Sequence, residues 1–143
     1  MPDKDVVLAK VAVIQRCLKR IRETTQMDSG SLDDVDKQDI FVLNLQRAVQ
    51  AAIDLTTHIV ASEGLGLSDT IKGNFKLLQN AGILAEDLMR RMESMVGFRN
   101  RNIAIHDYQA IDKGILKSIL VNNLKDLEDF YTVALLHFKM GST

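Results

Sequence analysis

A chain of 143 residues, 46% of them hydrophobic and with a formal net charge of −1, is long enough for one domain with a real core and too apolar to be disordered. The lone cysteine, Cys17, excludes a disulfide framework and fits a reducing cytoplasm; no apolar run approaches membrane-spanning length, and the N-terminus lacks the apolar core of a signal peptide. Pro2 is the one proline, so nothing in the interior must break a helix, and few aromatics beside abundant Leu, Ile, Val, Ala and Met favour an all-helical core.

Asp3 or Asp5 caps a first helix reaching about Thr24. Val7, Val11, Ile14, Leu18 and Ile21 recur at steps of four and three residues and form one apolar stripe, with Cys17 beside it as a small core residue. Lys10, Arg16, Lys19, Arg20 and Arg22 make this helix basic. They read either as ordinary solvated faces or as the local patch a nucleic acid needs on a protein with no global basic signature. Residues 26–35 are polar and acidic, contain Gly30, and read as a loop with some disorder. Asp36 caps a second helix, which runs to about Ser62 and stops near Gly64. Phe41, Leu45, Ala48, Ala52, Leu55 and Ile59 form its stripe, and Val42, Val49 and Ile53 widen it, so this helix is central or has two partners. Ala48, Ala51 and Ala52 admit a close neighbour, and His58 reads as a structural or surface residue.

Gly64-Leu65-Gly66-Leu67 is a turn without the lysine or spacing of a phosphate loop. Ser68 or Asp69 caps a short third helix through Asn80, which buries Ile71, Phe75 and Leu78 and is weakened by Gly73. A fourth helix starts near Leu84 with Leu88, Met89, Met92, Met95 and Val96 inward; the methionines read as adaptable core. Arg90, Arg91, Arg99 and Arg101 then lead toward its end, where Gly97 loosens the last turns. Asp112 caps a fifth helix to about Lys139, with Ile111 and Leu116 placed as a hydrophobic staple. Leu116, Leu120, Leu124, Leu127, Tyr131, Ala134 and Phe138 face inward, His137 and Lys139 suit the helix dipole, and 140–143 is a flexible tail. The expected architecture is a single all-α domain over 1–143: an antiparallel bundle of four long helices plus one short helix.

The polar chemistry gathers between the fourth and fifth helices. Arg99 to Tyr108 holds two arginines, two asparagines, one histidine, one aspartate and one tyrosine in ten residues. His106 is the group that moves a proton near neutral pH. Arg99, Arg101, Asn100 and Asn102 can hold an anion. One His-Asp pair is too few for a zinc set, and no serine sits in a nucleophile elbow. Proton transfer beside a phosphate-like charge remains, which suits phosphodiester cleavage by the substrate's own 2′-hydroxyl. On one continuous helix Arg101 and His106 would stand about 140° apart. Either the helix ends between them or the site draws on two chains; Ile103, Ala104 and Ile105 continue the helix or turn away from it. Arg99, seven residues from His106, would share its face and competes with Arg101.

Arg101-Asn102, His106 and Tyr108 together read R-x4-H-x-Y, and in this the sequence resembles the HepT-type toxins of the HEPN superfamily of helical ribonucleases. Leu43-Asn44-Leu45-Gln46-Arg47 and the long C-terminal helix pattern extend the likeness over most of the chain. The resemblance implies a HEPN-like bundle and a metal-independent endoribonuclease with no cofactor. It would cut RNA, possible tRNA included, to a 2′,3′-cyclic phosphate and a 5′-hydroxyl. The resemblance also implies a homodimer whose two motifs face each other across a cleft. His106 would be the general base, Arg101 the group that stabilises phosphate charge, and Asn102 an orienting residue, with Arg99 and Asp107 in support. Arg101 is preferred to Arg99 because only Arg101 has the four-residue spacing. The implied partner is an MNT-type nucleotidyltransferase antitoxin that transfers AMP to Tyr108. The alternative is a non-catalytic helical interaction module, such as a substrate-binding helper of a nucleotidyltransferase. The intact Arg101, Asn102, His106 and Tyr108 favour the toxin, and the near-neutral charge favours the helper.

Overall fold

The computed structural model describes residues 4–104 and 112–141, with side chains for 4–98 and 112–139. In chain order the elements are α1 (Lys4–Thr25), a 3-10 turn (Ser29–Asp33), α2 (Val35–Glu63), α3 (Ile71–Asn80), α4 (Glu86–Ala104), α5 (Lys113–Asn122) and α6 (Leu124–Gly141). The described residues contain no strand, and none of their helices is long and apolar enough to cross a membrane.

A helix apolar over a wide arc is stable only when covered from several sides. α2 meets this by touching α1, the 3-10 turn, α3, α4 and α6. The α1 stripe of Val7, Val11, Ile14, Leu18 and Ile21 is buried throughout, and Cys17 is buried beside it. α1 runs antiparallel to α2, with Lys10 Nζ 3.1 Å from Asp54 Oδ2. His58 sits half-buried on α2.

The ends of α2 differ from expectation at one side only. Gly64 closes it in the left-handed conformation (φ 62°), which glycine adopts without strain. At the start the cap is Asp34, two residues before Asp36: the Asp34 carboxylate accepts from the backbone N–H groups of Asp36 and Lys37 at 2.9 and 3.3 Å. The segment before it is ordered into the 3-10 turn. Asp28 caps that turn through Gly30 N–H, and Leu32 is fully buried. One leucine in an acidic run therefore pins the connection, while Asp28 and Asp34 accept from nearby backbone N–H groups. Lys117 Nζ lies 3.0 Å from Asp33 Oδ1 and holds that carboxyl below its usual range.

α3 is capped by Thr70, whose hydroxyl accepts from Gly73 N–H at 2.9 Å, rather than by Ser68 or Asp69. Ser68 hydrogen-bonds Thr70 instead, and a Cβ on Gly73 would stand 1.9 Å from Ser68 Oγ. Gly73 thus makes room for the capping hydroxyls. Phe75 and Leu78 are buried as expected, and Ile71 is half-buried.

The expected fifth helix is two helices, so the bundle has four long and two short ones among the described residues. The Asp112 carboxylate starts α5 by accepting from Gly114 and Ile115 N–H at 2.8 and 3.3 Å. Helical geometry breaks at Asn123, whose side-chain amide donates to Asp126 at 3.1 Å. The break lets α5 lean on the 3-10 turn while α6 packs on α1, α2 and α4. Leu116, Leu120, Leu124, Leu127 and Ala134 are buried. Tyr131 and Phe138 are only partly so; Phe130 takes the core place, its ring edge-on to Phe75 at 6.0 Å. At the far end His137 Nε2 lies 2.8 Å from Glu63 Oε2 and ties α6 to the end of α2.

Because Leu32 is fully buried, Leu32→Ala should cost about 2–5 kcal/mol of stability, read by urea unfolding. A change near zero would mean that 26–35 is the loosely held loop its composition suggests.

Candidate active site

The candidate residues sit on and after α4. Its first turn is acidic, with Glu86 and Asp87 at the positive end of the helix dipole. Leu88, Met89, Met92, Met95 and Val96 are all buried, so the methionines are core. Helical backbone continues through Ala104, which puts Arg99, Asn100, Arg101 and Asn102 on the last turns of α4 and makes Ile103 and Ala104 helical. On such a helix the Cα positions of Arg99 and Arg101 stand about 160° apart around the axis. Ile105, His106, Asp107, Tyr108 and Ile111 lie outside the described residues.

What fixes the first half of α4 against α6 is a polar network that the pattern of apolar stripes does not show. Arg91, two turns before Arg99, reaches Asp126 Oδ1 at 2.8 Å and Asp129 Oδ2 at 2.9 Å on α6, and Asp87 Oδ2 at 3.1 Å on its own helix. Asp126 is 1% exposed, and its second oxygen accepts from Asn123. The hydrogen bonds to Asp129 and Asp126 push the Arg91 pKa further up, so its charge is permanent. Arg90, adjacent in sequence, is exposed and paired only with Glu86 among the described residues. The two arginines thus have different work: Arg91 clamps α4 to α6, and Arg90 stays at the surface. The sequence signal for the clamp was Asp126 itself, a carboxylate set between the inward residues Leu124 and Leu127, where a charge needs a partner.

A groove of about 890 Å³ runs between α3 and α4, lined by Lys72, Phe75, Glu93, Ser94 and Phe98 among others. It reaches Gly97 and Phe98, immediately before Arg99, and so adjoins the motif end of α4. Lys72 and Glu93 face each other across it at 3.8 Å.

Comparison with known proteins bears on this arrangement directly. Residues 14–134 match the family model described as ribonuclease HepT-like. The chain is 36% identical over 129 residues to the mRNA nuclease HepT of Shewanella oneidensis, covering 90% of this chain and 96% of that protein. A structure of the tri-AMPylated Shewanella oneidensis HEPN toxin in complex with MNT antitoxin superposes with a TM-score of 0.84 at 34% identity, covering 94% of this chain and 99% of that one. A toxin–antitoxin crystal structure with AMP-PNP gives 0.83 at 34% identity, covering 93% and 99%. The helical bundle is of the HEPN class. Within that class, the chain belongs to the ribonuclease HepT-like family.

The clamp generates a contrast between neighbours. Arg91→Ala should lose about 2 kcal/mol in urea unfolding, less than the roughly 3–5 of a fully buried pair because this guanidinium keeps some access to water. Arg90→Ala should stay within about 0.5 kcal/mol of wild type. Equal losses would show that α4 is not held through Asp126.

Proposed function

We propose that this chain is the ribonuclease toxin of a toxin–antitoxin pair, a cytoplasmic, metal-independent endoribonuclease silenced by AMP transfer to Tyr108. The observation that carries the reading is the coincidence of Arg101-x4-His106-x-Tyr108 with membership of the HepT-like ribonuclease family. The relative named an mRNA nuclease supports RNA as substrate, and the AMPylated toxin–MNT complex supports an MNT-type nucleotidyltransferase as antitoxin.

In this reading His106 takes the proton from a ribose 2′-hydroxyl, and the oxygen attacks the adjacent phosphorus. The P–O bond to the next nucleotide breaks, leaving a 2′,3′-cyclic phosphate, and the departing oxygen gains a proton to become a 5′-hydroxyl. Arg101 holds the charge that builds on the phosphate oxygens, and Asn102 orients the phosphate. DNA, without the 2′-hydroxyl, is not a substrate. Arg99 and Asp107 support the site. Arg99 is placed on another side of α4 from Arg101, so it meets a different part of the substrate or the second motif of a homodimer whose two-fold axis brings the motifs together. The Arg91 clamp supports the reading too, because charge stabilisation needs donors fixed before the reaction.

His106→Ala should abolish cleavage, and Arg101→Ala should lower the rate on the order of 10²–10³-fold, both with unchanged melting temperature and with the active wild type sedimenting as a dimer. Full cleavage by folded His106→Ala, or an active monomer, would refute the composite site. A dead Arg99→Ala beside an active Arg101→Ala would exchange their roles.

Adenylylation of Tyr108 would set a phosphate and a bulky nucleoside beside His106 and Arg101, filling the anion site and blocking the base. Tyr108→Phe should therefore keep cleaving RNA and escape silencing by the antitoxin. Mass spectrometry after co-expression should place AMP on Tyr108 of the wild type. A silenced wild type with a bare Tyr108 would mean that the antitoxin acts by binding alone.

A further inference from the structure

A second concavity, this one basic, lies between α1 and α2, with a volume of about 510 Å³ and no lining residue from α4. Arg16 and Arg20 stand one turn apart on α1, and Arg47 faces them from α2. Among the described residues none of the three has a carboxylate within ion-pairing distance, whereas Lys10 and Arg22 of the same helix are paired with Asp54 and Glu128. The floor is largely apolar: Val13, Cys17, Ile40 and Leu43, the last 45% exposed, beside the buried Asn44, whose amide donates to the Ile40 carbonyl. Arg16 and Arg47 line the concavity together with Cys17, whose thiol pKa burial pushes up and the two arginines pull back.

Guanidinium forks around an open apolar floor match a strand that carries phosphates on its backbone and flat apolar faces on its bases. We propose that the Arg16–Arg20–Arg47 groove is an RNA-tracking site, which holds the phosphodiester backbone of the substrate strand with residues of α1 and α2 rather than of α4. The proposal rests on the ribonuclease reading above. RNA is favoured over an acidic protein for two reasons. The chain's family acts as ribonucleases, and its net charge of −1 cannot draw a polyanion in by a global field, so capture needs a local cluster of unneutralised cations.

The test replaces the three arginines with glutamine (Arg16→Gln, Arg20→Gln, Arg47→Gln) in the full chain. Binding is measured by fluorescence anisotropy with an uncleavable 2′-O-methyl oligoribonucleotide across a salt series, and cleavage with an ordinary RNA. KM should rise on the order of tenfold with kcat retained, and the slope of log affinity against log salt should become shallower by about 2, since each contact to a single strand contributes about 0.7. Arg47→Gln alone should move the slope about a third as far, which keeps the test decisive if the triple variant does not fold. An unchanged slope and KM, beside a wild type that cuts RNA, overturn the groove and leave the ribonuclease reading intact. A wild type that cuts no RNA fails that reading instead. Loss of antitoxin co-elution or of dimer sedimentation with RNA affinity unchanged assigns the groove to a protein partner and overturns the proposal.

Discussion

The bundle depends on the burial of α2. Phe41, Leu45, Ala48, Val49, Ala52, Leu55, Ile59 and Val60 all lose their contact with water, and they do not lie on one narrow stripe. Each large side chain among them contributes roughly 1.5–3 kcal/mol when removed from water, but only if a neighbour covers it. α1 covers one side, and α3, α4 and α6 the others, while Ala48, Ala51 and Ala52 let backbones approach. The placement of α4, and so of the arginines at its end, follows from this demand for cover.

Packing alone leaves a helix free to slide or turn by small amounts, and an active site does not tolerate that. Apolar contacts on α4 are made largely by methionines, which adapt to many positions. The Arg91–Asp126–Asn123 network supplies direction where the methionines do not, because hydrogen bonds to a carboxylate with little access to water have one good geometry. The network lies on the helix that carries Arg99 and Arg101, two to three turns before them.

Much of this was legible in the residues. The α1 stripe, the stop at Gly64, the cap at Asp112 and the breadth of the α2 face follow from periodicity and capping chemistry, and all stand in the structure. The breaks that went unseen are those without a sequence marker. Asn123 has neither the missing donor of proline nor the freedom of glycine; it interrupts the helix because its amide serves Asp126, a partner recognisable only in three dimensions. Leu32 is one apolar residue among acids, and Phe130 lies just off the periodic stripe of Leu124, Leu127, Tyr131 and Ala134. Thr70, Ser68 and Asp69 are all competent caps, and only the packing of Gly73 decides among them. For the candidate site, residue types and spacing located Arg99 to Asn102 on α4, whereas the different duties of Arg90 and Arg91 could not be told from two adjacent letters.

The division of the C-terminal region at Asn123 separates two anchorages. α4 is secured upstream by Arg91, and α5 downstream by its own cap, by Leu116 and Leu120, and by Lys117 on Asp33. Each flank is moored by itself, through contacts that lie wholly within the described residues, so the register of α6 against α1 is set by those contacts. The core formed by α1, α2 and α6 is thus held independently of the segment that joins α4 to α5.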